Sequence, residues 1–124
     1  MIKRKNEIKV LTENNASGNI KMYLSDLGDF EGRHPLLDTF FHVRLKVGEE
    51  VALHPHNGEF ESYYIIKGKA LYNDNGEFVE LSEGDVTHTP SGSGHGIKNI
   101  GDDVLEFIAL VVKDCWITEE FLKW

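Results

Sequence analysis

Cysteine is almost missing from this sequence, which has one thiol, Cys115, among 124 residues. A single cysteine cannot form a disulfide within the chain, and this usage is typical of proteins from a reducing compartment. The chain starts with the basic stretch Met1 to Lys5, but Asn6 and Glu7 interrupt it before any apolar core begins. Such a start is unlike a secretory signal. We therefore expect a cytoplasmic protein.

Long apolar runs and an excess of positive charge are also lacking. No apolar run approaches the roughly 20 residues that a membrane helix needs. The chain has 13 Lys and Arg against 21 Asp and Glu, a formal net charge of −8. This charge repels phosphate backbones and anionic lipid headgroups. We therefore expect no nucleic-acid or membrane partner, and instead a small-molecule substrate or ligand.

Patterns of short β-strands run through most of the chain. Thr39 to Val47 alternates, with Val43 and Leu45 on one face and His42 and Arg44 on the other. This alternation predicts a strand but leaves open which face is buried. On one interpretation His42 and Arg44 lie on a solvated face. On the other they line a pocket and bind an anionic substrate.

Turn-forming residues separate the remaining strand patterns. The other predicted strands are residues 8–11, 19–24, 51–56, 61–67, 69–73, 77–81, 86–89, 95–99 and 105–112. Asn75-Gly76 predicts a tight hairpin, since both residues tolerate positive φ angles. A helix is predicted only in the tail, at residues 119–124, with Thr118 as its N-cap. Many short strands in a chain of one domain's length indicate an all-β barrel or double sheet.

One set of residues most clearly indicates a chemical function. His54 and His56 are two residues apart, so on a strand both imidazoles project from the same face. A turn-forming stretch then precedes Glu61, and His95 follows later in the chain. Three imidazoles and a carboxylate are a typical ligand set for a divalent first-row metal. Glu61 has three possible roles: a ligand, a general base beside the metal, or a residue that orients a histidine.

These residues occur at the spacings of two motifs that characterise the cupins. The first motif runs Gly48, five residues, His54-x-His56, four residues, Glu61, six residues, Gly68. The second runs Gly84, five residues, Pro90-x-Gly92, two residues, His95, three residues, Asn99. The chain therefore resembles the cupin family, and in particular small single-domain metal-binding cupins.

The resemblance implies an all-β fold, a single cupin jelly-roll β-barrel with a short C-terminal helix. We expect residues 1–35 to contribute N-terminal strands and a loop, residues 36–113 the conserved barrel, and residues 114–124 the tail. It also suggests a homodimer that buries the apolar residues of the tail; the alternative is a tail helix that folds back on its own barrel. These residues are Trp116, Phe121, Leu122 and Trp124.

The resemblance further implies one divalent metal ion held by His54, His56, Glu61 and His95. Four protein ligands leave two positions on an ion that prefers six, which favours Mn, Fe, Ni or Co over Zn. Two such positions permit bidentate binding of a small oxygenated metabolite, whose oxygen the Tyr63 hydroxyl could reach. The leading hypothesis is an enzyme of the dioxygenase, decarboxylase or sugar isomerase type. The alternative is a non-catalytic module that binds or senses a small ligand.

Overall fold

The described part of the chain is built almost entirely from β-strands. The computed structural model describes residues 2, 4–8, 10–12, 20–23 and 36–114. Apart from a 3₁₀ turn at Lys5–Glu7, the elements are β1 (Val10–Thr12), β2 (Ile20–Tyr23), β3 (Leu37–Leu45), β4 (Glu50–Pro55), β5 (Glu59–Lys67), β6 (Lys69–Asp74), β7 (Glu77–Ser82), β8 (Val86–Thr89), β9 (Gly94–Asn99) and β10 (Leu105–Lys113). The all-β prediction is confirmed.

The strands form two antiparallel sheets. One sheet has six strands in the order β1-β2-β3-β10-β5-β8, and the other has four in the order β4-β9-β6-β7. Strands distant in sequence therefore lie side by side, and β10 pairs with both β3 and β5. The core comprises Val43, Leu45, Tyr63, Ile65, Ala70, Ile97, Leu105, Phe107 and Ala109. Because both sheets contribute to this core, their inner faces pack against each other.

Strand β3 shows which face of its alternating pattern is buried. Val43 and Leu45 belong to the core, with relative exposures of 2% and 0%. Since successive side chains of a strand point to opposite faces, His42 and Arg44 lie on the outer face of the six-stranded sheet. There, Oε1 of Glu106 on β10 lies 3.0 Å from Arg44 Nε and 3.3 Å from His42 Nε2.

The hairpin predicted at Asn75-Gly76 connects β6 to β7. Both residues have positive φ angles, 52° and 103°, as a two-residue turn of this kind requires. The Asn75 side chain accepts a hydrogen bond from the Gly94 amide at 3.1 Å. The turn thus also fixes the start of β9, the strand that carries His95.

Several predictions fall outside the described residues. They are the helix at residues 119–124, the four apolar tail residues expected at a dimer interface, and Cys115. The homodimer therefore stays a prediction. Within the described ranges, no helix is long and apolar enough to cross a membrane.

Candidate metal centre

Four predicted ligands converge between the two sheets. His54 comes from β4, His56 follows that strand directly, Glu61 comes from β5 and His95 from β9. Their candidate ligand atoms all lie within 4.8 Å of one another. Nε2 of His56 lies 3.1 Å from Nε2 of His54, 3.0 Å from Nε2 of His95 and 3.0 Å from Oε1 of Glu61. The structure therefore brings all four residues to one point.

A β-bulge in β4 directs His54 into the centre. Val51 pairs with Ile97 and His54 with His95, so two residues of β4, Ala52 and Leu53, face one residue of β9. Val51 packs against the core, and the extra residue lets His54, three positions later, point to the same side. The facing residue is Gly96, where an added Cβ would be 2.9 Å from the Leu53 nitrogen and 3.0 Å from the Val51 oxygen. Glycine therefore permits the bulge.

The loop before β9 holds His56 by its backbone. The Gly92 amide donates to the His56 carbonyl at 2.7 Å, and the His56 amide donates to the Ser93 carbonyl at 3.0 Å. Gly92 has a φ of +91°, which glycine adopts without strain. The Pro90-x-Gly92 segment of the second motif thus positions a candidate ligand from the first.

The second ring nitrogen of each histidine also has a partner. Nδ1 of His54 donates to the Ala52 carbonyl at 2.7 Å, and Nδ1 of His56 donates to the Glu59 carboxylate at 2.8 Å. Nδ1 of His95 lies 2.9 Å from the hydroxyls of Tyr72 and Thr89. The carbonyl and the carboxylate require a proton on Nδ1, and the two hydroxyls can accept one, which leaves an electron pair on Nε2. Each Nε2 is therefore prepared to bind a cation.

Glu61 is held as a carboxylate despite its burial. Burial alone would raise its pKa, but contacts with the imidazoles of His54 and His95, and the positive charges that His95 and His56 carry once they are protonated in acid, lower that pKa from 4.5 to about 2. Its Oε1 lies 2.7 Å from Nε2 of His95. Burial lowers the pKa of His95 below 6.5, so its imidazole is neutral near pH 7. A carboxylate and a neutral imidazole are the forms that bind metal.

The donor set fits a divalent transition metal. Nε2 of His56 lies about 3 Å from Nε2 of both other histidines, so their electron pairs repel one another when directed at one point, and a cation placed there removes that repulsion. The separations between the donor atoms run from 2.7 Å, between His95 Nε2 and Glu61 Oε1, to no more than 4.8 Å, so one ion could contact all four residues.

A cavity of about 210 Å³ adjoins the centre. Its lining includes His54, His56 and Glu61, together with Tyr63. The Tyr63 ring stacks on His95 with ring centres 4.7 Å apart, and its hydroxyl lies 3.4 Å from His95 Nε2. Burial, followed by the charge of Glu61, raises the pKa of Tyr63 well above its usual value. The hydroxyl therefore keeps its proton and can donate a hydrogen bond.

Other predicted candidates lie apart from the centre. His42 and Arg44 occupy the outer face of β3, on the opposite side of the sheet from the core, so their role in substrate binding stays a prediction without a contact to the cluster. His88 is exposed and lies 3.1 Å from the Ser62 hydroxyl on β5. A groove of about 760 Å³ beside Gly68 and Gly101 contains none of the four candidate ligands.

Four supporting residues were not singled out from the sequence: Glu59, Tyr72, Thr89 and Gly96. Glu59 lies between His56 and Glu61, so its closeness in sequence to the ligands was the one available signal. Tyr72 and Thr89 reach His95 only because β6 pairs with β9 and β8 ends with Thr89 paired to Glu61 on β5. The spacing of the motifs says nothing about them.

Known proteins provide an independent comparison. Residues 41–112 match the family described as Cupin domain. The oxalate-binding protein of Thermotoga maritima is 36% identical over 115 residues, which cover 90% of this chain and 93% of that protein. The oxalate decarboxylase OxdC of Bacillus subtilis is 27% identical over 109 residues, 84% of this chain but 28% of that enzyme.

A solved structure agrees with the sequence comparisons. The crystal structure described as a predicted oxalate decarboxylase from Thermotoga maritima superposes with a TM-score of 0.76 at 34% identity. The superposition covers 91% of this chain and 99% of that one. The family match spans more than half of the chain, and the fold of the described residues agrees with it. This chain belongs to the cupin family and has its all-β jelly-roll fold.

Proposed function

We propose that this protein binds one divalent transition metal ion and, through it, a small chelating carboxylate such as oxalate. The observation that carries the proposal is the convergence of three histidine Nε2 atoms and one carboxylate oxygen within 4.8 Å. The 36% identity to an oxalate-binding protein supports the choice of ligand. Mn, Fe, Ni and Co suit six-coordinate sites with nitrogen and oxygen ligands better than Zn does.

The residues of the centre would have different roles. His54, His56, Glu61 and His95 would hold the ion, which when bound supplies a Lewis acid and a template for carboxylate oxygens. Glu59, Tyr72 and Thr89 keep the imidazoles in the required orientation through Nδ1. Tyr63 offers a hydroxyl proton to an oxygen of the bound ligand from within the cavity.

Metal analysis tests the first part. Protein purified without a chelator or a histidine tag is analysed for bound elements, beside His54→Ala and the control His88→Ala, which alters an exposed histidine outside the cluster. We expect near-stoichiometric metal in the wild type and in the control and almost none in His54→Ala. Wild-type protein that neither retains nor takes up Mn, Fe, Ni or Co would overturn the proposal.

Calorimetric titration with oxalate tests the second part. We expect saturable binding to metal-loaded protein and none to the chelator-treated form. Binding of equal strength to both forms would show that oxalate does not bind through the metal.

Catalysis is a second candidate, favoured by the likeness to an oxalate decarboxylase and by the Tyr63 hydroxyl at the centre. Cleavage of the carbon–carbon bond of oxalate gives carbon dioxide and, after uptake of one proton, formate. Formate accumulation in the wild type but not in Glu61→Gln would support an enzyme. Binding without any formate over a long incubation would leave a binding module.

A further inference from the structure

The wall of the cavity beside the metal centre is apolar. Strand β3 contributes Phe41 and Val43, and strand β10 contributes Phe107, Ala109 and Val111. Oxalate has no apolar group to place against such a wall. A ligand with a short hydrocarbon side chain would place that side chain against the wall, and both apolar surfaces would then be removed from water.

The other described residues of the lining are acidic or uncharged. Beyond Val51 and three of the candidate ligands, His54, His56 and Glu61, they are Asp38, Thr39, Glu59 and Tyr63, and the described lining includes no lysine or arginine. Glu59 already accepts the Nδ1 proton of His56. Asp38 is exposed near the start of β3, and its carboxylate accepts a hydrogen bond from the Thr39 hydroxyl at 3.1 Å.

This distribution of charge restricts the ligand. A carboxylate bound at the metal has its charge balanced there. A second carboxylate further along the same ligand would meet the apolar wall and the like charge of Asp38, both of which disfavour it. Oxalate avoids this conflict because both of its carboxylates belong to the chelate.

We infer that the site accepts 2-oxo or 2-hydroxy acids with one carboxylate and a short apolar side chain, and that Asp38 determines specificity by excluding a second, distal carboxylate. The inference rests on the proposed function, because the metal must anchor the ligand. The cavity has about the volume of seven water molecules in the liquid, which limits the side chain to a few carbons.

A ligand series tests the apolar wall. Cobalt-loaded protein is titrated calorimetrically with pyruvate, 2-oxobutyrate and 2-oxovalerate. Each methylene buried against the wall should tighten binding about threefold to fourfold, until the cavity is full. Equal affinity across the series, in protein shown to bind both cobalt and pyruvate, would overturn the inference while leaving the proposed function intact.

A matched pair of ligands tests Asp38. In 2-oxoglutarate a carboxylate replaces the terminal methyl group of 2-oxovalerate, and we expect it to bind at least tenfold more weakly. Asp38→Asn should reduce that ratio about fivefold by strengthening 2-oxoglutarate binding, with 2-oxovalerate little changed. The control is Asp102→Asn, which removes a carboxylate beside the groove that contains none of the candidate ligands, and it should leave the ratio as in the wild type.

The outcomes distinguish failure of the proposed function from failure of the inference about ligand specificity. Failure to bind cobalt, or pyruvate binding that does not need cobalt, would refute the proposed function and the inference with it. An equal change of the ratio in both variants would show that net charge, and not Asp38, sets the discrimination. No change in Asp38→Asn would likewise overturn the role of this residue.

Discussion

Gly96 faces Leu53 so closely that a Cβ at position 96 would be 2.9 Å from the Leu53 backbone nitrogen. This approach is possible only without a side chain, because real Cβ atoms do not come so near to a backbone atom. The contact lies at the bulge of β4, directly between the pairs Val51–Ile97 and His54–His95. A feature of backbone packing is thereby linked to the direction of His54, a candidate metal ligand.

Gly96→Ala should consequently impair the metal site. The added methyl group would force β4 away from β9 and turn His54 from the centre, so we expect at least a tenfold loss of metal affinity and about 1–3 kcal/mol of stability. Competition with a chromophoric chelator measures the affinity, and urea unfolding the stability. The control is Gly101→Ala, where the nearest contact of an added Cβ is an ordinary 3.5 Å. Lost stability with wild-type metal affinity would contradict the role given to the bulge.

The sequence predicted the four candidate ligands but not how the fold positions them. A period of two placed His54 and His56 on one face, and matched spacings added Glu61 and His95. The bulge could not be predicted from a period of two, because one extra residue in β4 places Val51 and His54, three positions apart, on the same face. Gly96 is an ordinary glycine in the sequence, and only the strand opposite it shows why a side chain is excluded there.

The strands were predicted better than their faces. Val43 and Leu45 share a side with the core only because β3 pairs with β10, whose Leu105 and Phe107 are equally buried. Burial of one face depends on partners 60 or more positions away in the chain, so the alternation of Thr39 to Val47 could not decide it. Tyr63 and Ile65, by contrast, share the parity of Glu61 along one strand, and all three side chains are buried.

Glu59 should strengthen metal binding through His56. Its carboxylate fixes the Nδ1 proton at 2.8 Å, and loss of such a partner typically lowers metal affinity about 10-fold to 100-fold. We expect that loss in Glu59→Ala and a smaller one in Glu59→Gln, whose amide oxygen can still accept the proton. Glu50→Gln, on the exposed side of β4, controls for the change of charge. Unchanged affinity in Glu59→Ala would rule out this contribution.

Asn99 should stabilise the fold without contributing to the metal site. Its amide donates to the carbonyls of Leu45 at 3.0 Å and Asp103 at 2.8 Å, and its oxygen accepts from the Gly101 amide at 2.9 Å. Asn99→Ala would leave these buried groups without partners, which should cost about 3 kcal/mol in urea unfolding.

The same variant should bind metal normally under native conditions, because position 99 lies four residues from His95 along β9, a distance of about 13 Å. Lys98→Ala, an exposed neighbour on the strand, is the control for stability. A parallel loss of metal affinity in Asn99→Ala would mean that this end of the barrel is coupled to the centre.

The metal-free protein should become less stable in acid because of the centre itself. Glu61 and His95 both have lower pKa values folded than unfolded, so the unfolded chain binds more protons and acid favours unfolding. The effect of His95 should begin as the pH falls below 6.5. The effect of Glu61 should follow between pH 4.5 and about 2, and Glu61 alone should lower the free energy of unfolding by about 3 kcal/mol.

Urea unfolding of chelator-treated protein at several pH values measures this dependence, with Glu61→Gln as the comparison. Glutamine has no proton to gain, so the free energy of unfolding of the variant should fall less steeply below pH 4.5 than that of the wild type. Parallel curves for the two proteins in that range would show that other carboxyl groups cause the acid sensitivity. A shallower dependence of the unfolding free energy on pH in Glu61→Gln would mean that the wild-type fold favours the ionised form of Glu61, which is the form that binds a cation.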